Sequence, residues 1–359
     1  MDLKYDIIHF EALGEEAKHL EEETEKAKEK GTLPKEHTYL ITPDNLQDFL
    51  AKNLDVSLPE IISTKTHSKI PDWYLEGSKK SIITRSAGYD HFEHLASAAN
   101  VASLREYCVN AVAQTAIKFL YATAGVLNHY TLNTVTFERK NAQSFMELGT
   151  SRVATVFGVG KIGKKIYDLL EGTGLKVQAV DIREEELRVQ YNNTVNFVTR
   201  DIAINNSDII INAMNLTRLE ESKFYNVNYF SKETLQNAKS GLIFINVTRG
   251  EIAPESVLLD LYDKGIISGL GLDVFSNEAI FSNALNGKSS FEGDDVQAAK
   301  ILLERSINRS ANIYVQPHQG FNSDLAAATK AEDAIHHVEA WWNNKKLQFD
   351  EQLPYYSNI

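Results

Sequence analysis

The feature that most limits how this chain can fold is a glycine pattern, Gly158-Val159-Gly160-Lys161-Ile162-Gly163. An apolar segment, Val153–Phe157, runs directly into it, a helical pattern follows, and the next apolar segment ends at Asp181. In such strand–turn–helix units the first glycine makes the tight turn, the second admits a pyrophosphate to the helix N-terminus, and the third permits close helix–strand packing. The terminal acid accepts hydrogen bonds from the adenosine ribose. The segment therefore predicts a dinucleotide site formed by Gly158, Gly160, Lys161, Ile162, Gly163 and Asp181.

The acid at the end of the second strand also bears on which dinucleotide binds. The charge of Asp181 repels a 2′-phosphate and so favours NAD over NADP. Arg183 lies two residues further on and leaves residual use of NADP open, because an arginine can accommodate that phosphate. A structural glycine turn and a SAM-binding Rossmann site are the alternatives. The presence of strand, helix, second strand and acid in order favours the dinucleotide.

Apolar segments with the length of buried strands alternate with helical patterns over most of the chain. The strand candidates are Asp6–Phe10, Thr38–Thr42, Glu60–Ser63, Ser81–Arg85, Val153–Gly158, Val177–Asp181, Asp208–Ala213, Leu242–Thr248, Gly269–Val274 and Ile313–Gln316. Helical patterns cover Glu15–Lys30, Asn110 to about Tyr130, Lys161–Glu171 and Asp324–Asn343. This alternation is typical of βαβ units, so we predict an α/β fold with parallel sheets covered on both faces.

Composition narrows the class of protein further. The 359 residues suffice for two domains, and 37 Lys and Arg against 49 Asp and Glu give a formal charge of −12. Such a balance argues against nucleic acid or anionic lipid as partner. No apolar segment approaches the ~20 residues of a membrane span, and the N-terminus lacks the pattern of a signal peptide. With Cys108 as its only cysteine, the chain is expected to be cytoplasmic and free of internal disulfides.

Three polar residues follow predicted strands in the second half of the chain. Arg249 follows Leu242–Val247, Glu278 follows Gly269–Val274, and His318 follows Ile313–Gln316. Ligands of open α/β sheets bind outside the carboxyl ends of the strands. An arginine fork can hold a carboxylate with two hydrogen bonds, and a histidine oriented by a carboxylate exchanges a proton near neutral pH. The three residues suit the reduction of a 2-oxo acid, which needs a cation for the substrate and a proton for the developing alkoxide.

Taken singly, each of the three has an ordinary structural interpretation as an ion pair, a helix N-cap or a turn residue. Their occurrence at three strand ends beside a nucleotide motif favours catalysis. The remaining histidines carry no comparable pattern. His91 and His94 lack a third ligand at metal spacing, and His336 and His337 lie on a helical pattern, so all four are interpreted as structural or surface residues and no metal is predicted.

These motifs resemble the signatures of the D-isomer-specific 2-hydroxyacid dehydrogenases. The resemblance rests on Asn246–Glu251, on Gly271–Phe275 leading to Glu278, on Pro317-His318 and on Thr84–Asp90, and it covers nearly the whole chain. It implies two Rossmann-like, doubly wound parallel-sheet domains, one flavodoxin-like and one NAD-binding, with the active site in the cleft between them. The substrate domain would comprise 1–107 and 322–359, and the dinucleotide-binding domain 108–321.

The resemblance also implies a role for individual residues. Arg249 corresponds to the substrate-binding arginine, His318 to the acid/base histidine, and Glu278 to its carboxylate partner. Backbone N–H groups around Ala87, Gly88 and Tyr89 correspond to those that hold the substrate carboxylate, and Thr248 and Asp273 to residues near the nicotinamide. The helix after Asn110 would form the contact of a homodimer.

Two further residues match the D-lactate dehydrogenase branch of this family. Tyr107 corresponds to a tyrosine near the substrate, and Phe321 to a phenylalanine that packs on the substrate's side chain. They favour pyruvate as substrate, whereas Arg105, beside Tyr107, could bind a second acidic group. The alternatives are a dehydrogenase for another 2-hydroxy acid, such as glycerate or a 2-hydroxyisocaproate-like compound, and an NAD(H)-sensing protein like the corepressors built on this fold.

Overall fold

The computed structural model describes residues 4–140 and 142–356, in which strands and helices alternate as predicted. The strands are β1 (Ile7–His9), β2 (Tyr39–Ile41), β3 (Ile61–Thr64), β4 (Ser81–Thr84), β5 (Asn100–Ser103), β6 (Val153–Phe157), β7 (Lys176–Val180), β8 (Ile209–Asn212), β9 (Leu242–Asn246), β10 (Ile267–Leu272) and β11 (Ile313–Val315). The helices are α1 (Gly14–Lys30), α2 (Leu46–Lys52), α3 (Val109–Ala124), α4 (Leu127–Asn133), α5 (Lys161–Glu171), α6 (Glu184–Gln190), α7 (Arg200–Asn206), α8 (Lys232–Leu235), α9 (Glu255–Asp263), α10 (Glu278–Leu285), α11 (Asp294–Ile307) and α12 (Ala326–Asn343).

The chain divides into two compact units, each with its own sheet. Residues 1–108 and 322–359 form unit 1, and residues 109–321 form unit 2. The sheet of unit 1 is entirely parallel in the order β2-β1-β3-β4-β5, which is the flavodoxin-like arrangement. The sheet of unit 2 is also parallel, in the order β11-β10-β9-β8-β6-β7. The predicted α/β fold with two parallel sheets is confirmed.

Both faces of the unit 1 sheet are covered, because apolar residues point alternately to either side of its strands. On one face α1 and α12 pack against Ile7, Ile61 and Ile83, and the buried Trp341 of α12 joins this cluster. The other face buries Phe10, Ile62 and Ile82 together with Phe49 of α2. The last described residues also belong to this unit, since Leu353 is buried and its N–H donates to the carbonyl of Val101 in β5.

In unit 2 the strand order reverses at β6, which pairs with β7 on one side and β8 on the other. Such a switch point leaves a crevice at the carboxyl ends of the strands, where ligands bind. One face of this sheet buries a run of edge-to-face rings, with Phe230 between Phe157 and Phe244 at centroid distances of 5.0 Å. The other face packs against α3 and α5. The crevice at β6 and β8 is therefore supported by well-packed layers.

Two of the differences from the predicted elements have a clear local reason. The long helix expected from Asn110 to about Tyr130 ends at Ala124, since Val126 adopts a left-handed φ of 43° and a new helix begins at Leu127. Strand β5 was not predicted, because its polar ends, Asn100 and Ser103, hide the apolar pair between them. Among the described residues no helix is both long and apolar enough to cross a bilayer.

Candidate active site

The glycine turn after β6 has the geometry that each of its three glycines requires. Gly158 adopts a left-handed φ of 83°, and a Cβ there would lie 2.7 Å from the Cα of Met214. A Cβ on Gly163 would lie 1.8 Å from the carbonyl oxygen of Gly158, so only glycine lets α5 approach the turn this closely. At Gly160, by contrast, a Cβ would meet no described atom within 4 Å. The first and third glycines thus permit close packing of the turn, whereas the second leaves the space beside it unfilled.

That open space lies at the N-terminus of α5, where the N-cap residue Gly160 has no side chain to cap the helix. Lys161 and Ile162 belong to the first turn, whose N–H groups point out of the end of the helix. A helix N-terminus of this kind accommodates a phosphate group. The turn therefore fits the pyrophosphate of a dinucleotide.

Asp181 lies beside this turn, directly after β7. Its Oδ2 accepts a hydrogen bond from the N–H of Val159 at 2.7 Å, and its Oδ1 accepts one from the N–H of Arg183 at 2.9 Å. The carboxylate keeps further lone pairs for the hydroxyls of a ribose. The guanidinium of Arg183 lies between two carboxylates, 3.8 Å from Asp181 and 3.1 Å from Glu186. Its charge is thus engaged by acids of this chain.

The turns after three neighbouring strands carry the predicted catalytic residues. His318 follows β11 and Glu278 begins α10 after β10, and the imidazole Nδ1 lies 2.8 Å from Oε2 of the carboxylate. Both side chains are partly exposed, His318 by 38% and Glu278 by 42%. Because Nδ1 faces the carboxylate, Nε2 is the ring nitrogen left to exchange a proton with a bound molecule.

Asp273 anchors the loop that carries His318. Its carboxylate accepts hydrogen bonds from the side chain of Gln316 at 2.6 Å and from the N–H groups of Gln319 and Gly320, both at 2.9 Å. Its carbonyl also accepts the N–H of His318 at 2.7 Å. Burial raises the pKa of Asp273, whereas these hydrogen bonds oppose that effect. The structure thus gives Asp273 an anchoring role that the sequence did not indicate; its predicted role near the nicotinamide stays a prediction.

Arg249 lies on the turn after β9, and two asparagines shape that turn. Asn246 donates through Nδ2 to the carbonyl of Arg249 at 2.9 Å, while Nδ2 of Asn212 donates to Asn246 at 3.0 Å and to Oγ1 of Thr248 at 3.0 Å. The guanidinium of Arg249 donates to the carbonyl of Thr248 at 2.9 Å. Asn246 belongs to the motif quoted for the family resemblance, but no role was predicted for it or for Asn212, although each is a polar residue at the end of an otherwise apolar strand.

In unit 1 the predicted carboxylate-binding turn follows β4. The hydroxyl of Ser86 donates to the carbonyl of Gly88 and so closes the turn around Ala87. The side chain of Tyr89 is buried, with its ring 5.2 Å from that of Tyr355. The role predicted for Tyr89 involves its backbone N–H alone and stays a prediction.

Two neighbouring residues of unit 1 have partners within the unit. The ring of Tyr107 lies 4.9 Å from Nζ of Lys330, whose pKa burial lowers to about 8. Arg105 lies 4.3 Å from the ring centroid of Tyr355, and it donates to Tyr356 and to Glu351. Arg105 thus holds the C-terminal segment. Phe321 is the last residue of unit 2.

The remaining reactive side chains have structural surroundings. Burial raises the pKa of the Cys108 thiol to about 11, which keeps it protonated. His91 lies 2.9 Å from Oγ1 of Thr84. No group of three His, Cys, Asp or Glu residues in the part of the chain that is described could hold a metal ion.

Comparisons with known proteins agree with this geometry. Residues 121–320 match the family model of the D-isomer specific 2-hydroxyacid dehydrogenase, NAD binding domain. The chain is 27% identical over 259 residues to a D-lactate dehydrogenase of Treponema pallidum, covering 69% of this chain and 71% of that protein. It is equally 27% identical over 275 residues to an aromatic 2-oxoacid reductase of Clostridium sporogenes, covering 72% of this chain and 75% of that protein.

Among solved structures, the chain resembles D-lactate dehydrogenase from Aquifex aeolicus complexed with NAD and lactic acid. The TM-score is 0.75 at 20% sequence identity, over 98% of this chain and 99% of that one. The structure of D-2-hydroxyisocaproate dehydrogenase gives a TM-score of 0.72 at 18% identity, over 94% of this chain and 97% of that one. At these identities the likeness establishes the fold.

Proposed function

The chain belongs to the D-isomer-specific 2-hydroxyacid dehydrogenases, a family of NAD-dependent oxidoreductases, and on this basis we propose that it reduces pyruvate to D-lactate. The observation that carries the proposal is the 2.8 Å contact between His318 and Glu278, on turns neighbouring that of Arg249. A cationic clamp, a proton donor and its orienting carboxylate are the groups that reduction of a 2-oxo acid requires. D-lactate, the product of this reduction, is the compound that the name of the T. pallidum relative, a D-lactate dehydrogenase, gives for that protein.

The glycine turn after β6 and Asp181 would hold NADH, which would supply the hydride; residues of this chain bind the 2-oxo acid and provide the proton. Arg249 holds the substrate carboxylate and polarises the carbonyl through its fork of N–H donors. His318 donates the proton from Nε2 to the oxygen of the former carbonyl group. Glu278 accepts a hydrogen bond from Nδ1–H of His318 and so fixes the orientation of the ring. Its charge also stabilises the imidazolium before the proton is transferred. In the oxidation of the hydroxy acid, the same imidazole accepts the proton.

Unit 1 is proposed to be the substrate domain. The backbone N–H groups around Ala87, Gly88 and Tyr89 hold the substrate carboxylate, with Tyr107 and Phe321 beside the substrate's side chain. Support comes from the position of the Ser86–Gly88 turn at the carboxyl end of β4, the edge at which open α/β sheets bind their ligands. Thr248 and Asp273 are proposed to lie near the nicotinamide.

A steady-state screen tests this proposal. NADH oxidation is followed with pyruvate, 2-oxobutyrate, phenylpyruvate, glyoxylate, hydroxypyruvate and oxaloacetate, the screen is repeated with NADPH, and the product is analysed on a chiral column. Pyruvate is expected to give D-lactate with the highest kcat/KM and with NADH. Measurable NADH binding without turnover of any 2-oxo acid would overturn the proposal in favour of an NAD(H)-sensing protein.

The same screen examines a second candidate substrate class. The similarity to the aromatic 2-oxoacid reductase extends over 275 residues at the same identity as that to the D-lactate dehydrogenase. An aromatic 2-oxo acid is therefore the principal competitor. A kcat/KM for phenylpyruvate above that for pyruvate would assign the chain to that class.

A homodimer is proposed on the helix after Asn110 and the segment that follows it. Tyr121, Leu127 and Leu132 are exposed apolar side chains, and Val135 and Phe137 are exposed by 85% and 86%. Such a run of exposed apolar side chains is unfavourable in water and marks an interaction surface. A second copy of the chain buries it by two-fold symmetry.

A further inference from the structure

A buried glutamate holds the loop that precedes Glu278. Glu255 is the first residue of α9 and is exposed by only 2%. Its Oε1 accepts the backbone N–H of Ser276 at 2.6 Å, and its Oε2 accepts the hydroxyl of the same serine. Ser276 lies between Asp273 and Glu278. Both oxygens of the Glu255 carboxylate thus accept hydrogen bonds from a single residue of the loop that precedes Glu278.

The turn that carries Arg249 packs against Ser276 and against the residue before it, Phe275. A Cβ on Gly250 would lie 1.9 Å from the backbone nitrogen of Ser276 and 2.1 Å from the carbonyl carbon of Phe275. The two backbones are therefore in direct contact, and only glycine permits it. Gly250 opens a short turn that leads towards Glu255, so one continuous segment bears Arg249, the contact glycine and the clamping carboxylate.

The other side of the loop leads to the catalytic pair. The backbone N–H of Phe275 donates to Oε1 of Glu278 at 3.3 Å, while Oε2 of Glu278 faces the imidazole of His318 at 2.8 Å. Holding Ser276 therefore holds Phe275, and Phe275 sets the position of the Glu278 carboxylate. Resting on the proposed function, we propose that Glu255 is a positioning residue that fixes the His318–Glu278 pair relative to Arg249 by clamping Ser276.

The cost of burying this group argues against a role in stability alone. Burial raises the pKa of Glu255 to about 7, and the nearby Asp295 adds to the rise, whereas the hydrogen bonds from Ser276 oppose it. A buried carboxyl group is an unfavourable means of stabilising a fold, even where hydrogen bonds compensate part of its desolvation. The same volume could be filled by a glutamine or an apolar residue, without a charge.

The test compares Glu255→Ala, Glu255→Gln and Ser276→Ala with the wild-type protein, using pyruvate. Glu255→Ala is expected to lower kcat about 10- to 100-fold, because small misplacements of catalytic groups cost rates of that order, with little change in the KM for NADH. Glu255→Gln restores most of the loss, since its amide oxygen still accepts the Ser276 N–H. Ser276→Ala removes only the hydroxyl, and a smaller loss in kcat is expected; it keeps the test valid if Glu255→Ala does not fold.

Asp208→Asn is the matched control. Asp208 is another buried carboxylate of unit 2 that accepts a backbone N–H, from Val153 at 2.9 Å, but it precedes β8 and lies away from the turns after the strands. Asp208→Asn is expected to lower Tm and leave kcat within twofold of the wild-type value. An equal loss of kcat in Asp208→Asn and Glu255→Ala would overturn the positioning role, as would unchanged kcat in folded Glu255→Ala.

A spectroscopic measurement separates this inference from the proposed function. The Nδ1–H proton of His318, identified by its absence in His318→Asn, is followed by NMR without substrate. We expect its resonance to shift or broaden in Glu255→Ala and to recover in Glu255→Gln. A wild-type protein that turns over no 2-oxo acid refutes the proposed function, whereas an unchanged His318 resonance in Glu255→Ala refutes the clamp.

Discussion

His318 and Glu278 are 40 residues apart in the chain, yet the imidazole Nδ1 lies 2.8 Å from the carboxylate Oε2. The parallel pairing of β10 with β11 brings them together, because it places the turn after each strand at the same edge of the sheet. The backbone of His318 has a left-handed φ of 50°. This conformation is uncommon outside glycine and is found where surrounding structure determines it.

His318→Ala removes the proposed proton donor. We expect kcat to fall by at least ~10²-fold, the usual scale for a general acid, while NADH still binds. Steady-state kinetics with pyruvate and NADH fluorescence titration measure the two effects. Turnover close to that of the wild-type protein would exclude His318 as the donor.

Arg249→Lys keeps the positive charge but removes the guanidinium group, whose N–H donors can bind both oxygens of a carboxylate. The KM for pyruvate is expected to rise about 10-fold or more, because a point charge cannot make the bidentate pair. Kinetics at saturating NADH measure the change. An unaltered KM together with an unaltered kcat would show that Arg249 does not hold the substrate.

The glycines of the turn after β6 offer a matched pair of substitutions. Gly163→Ala places a Cβ 1.8 Å from a carbonyl oxygen, so it is expected to destabilise unit 2 by about 2–3 kcal/mol. Gly160→Ala meets no described atom and is expected to leave Tm nearly unchanged while weakening NADH binding. Thermal unfolding and fluorescence titration separate the outcomes. Equal Tm losses in both variants would contradict the assignment of packing to one glycine and ligand space to the other.

Stability is expected to decrease below neutral pH, because three histidines of unit 1 are held neutral. Burial lowers the pKa of His9 and of His37, and it lowers the pKa of His337 to about 4. The unfolded chain binds these protons once the pH falls below about 6.5, whereas the folded chain binds them only at lower pH. The free energy of unfolding therefore falls as the pH is lowered from 6.5 towards 4.

Substitution of His337 and of its exposed neighbour tests this dependence. His337→Gln removes a histidine whose pKa burial lowers. Because this variant has one fewer group that binds a proton on unfolding, its loss of Tm between pH 7.5 and pH 5 is expected to be smaller than that of the wild-type protein. His336→Gln changes a side chain that is 73% exposed and serves as the control. A pH dependence identical in all three proteins would show that His337 does not contribute to acid sensitivity.

The proposed dimer predicts an effect of charge on the exposed apolar segment. Phe137→Glu is expected to shift the mass in solution from that of two chains to that of one, as measured by light scattering after gel filtration. Substitution of Leu54, which is exposed in unit 1, serves as the control. A wild-type protein that is monomeric at micromolar concentration would refute the dimer.

Local patterns sufficed for much of the fold and for the residues after the strands. The glycine pattern, Asp181 and the polar residues after β9, β10 and β11 are each visible within a short window, and the parallel topology then determines where they lie. Other features depend on contacts between distant segments. The clamp of Glu255 on Ser276, the anchoring by Asp273 and the hydrogen bond between Asn212 and Asn246 join separate turns, so no local periodicity indicates them.

Local sequence patterns also do not predict which individual side chains are buried. Tyr89 belongs to a turn with a predicted ligand role, but its ring packs against Tyr355, more than 250 residues later in the chain. Arg105, beside Tyr107, interacts with the same C-terminal segment. Their partners follow from the return of the chain to unit 1, which a local pattern does not show.

The interrupted course of unit 1 has a consequence for biosynthesis. On a ribosome, residues 109–321 emerge as one uninterrupted stretch and can close their sheet as soon as β11 is available. The first 108 residues leave the exit tunnel earlier, yet one face of their sheet has only the part of its cover that α1 provides until α12, with Trp341 and Val338, has been translated. The part of the protein that is made first is therefore completed last, and its apolar face is the surface that a chaperone encounters during synthesis.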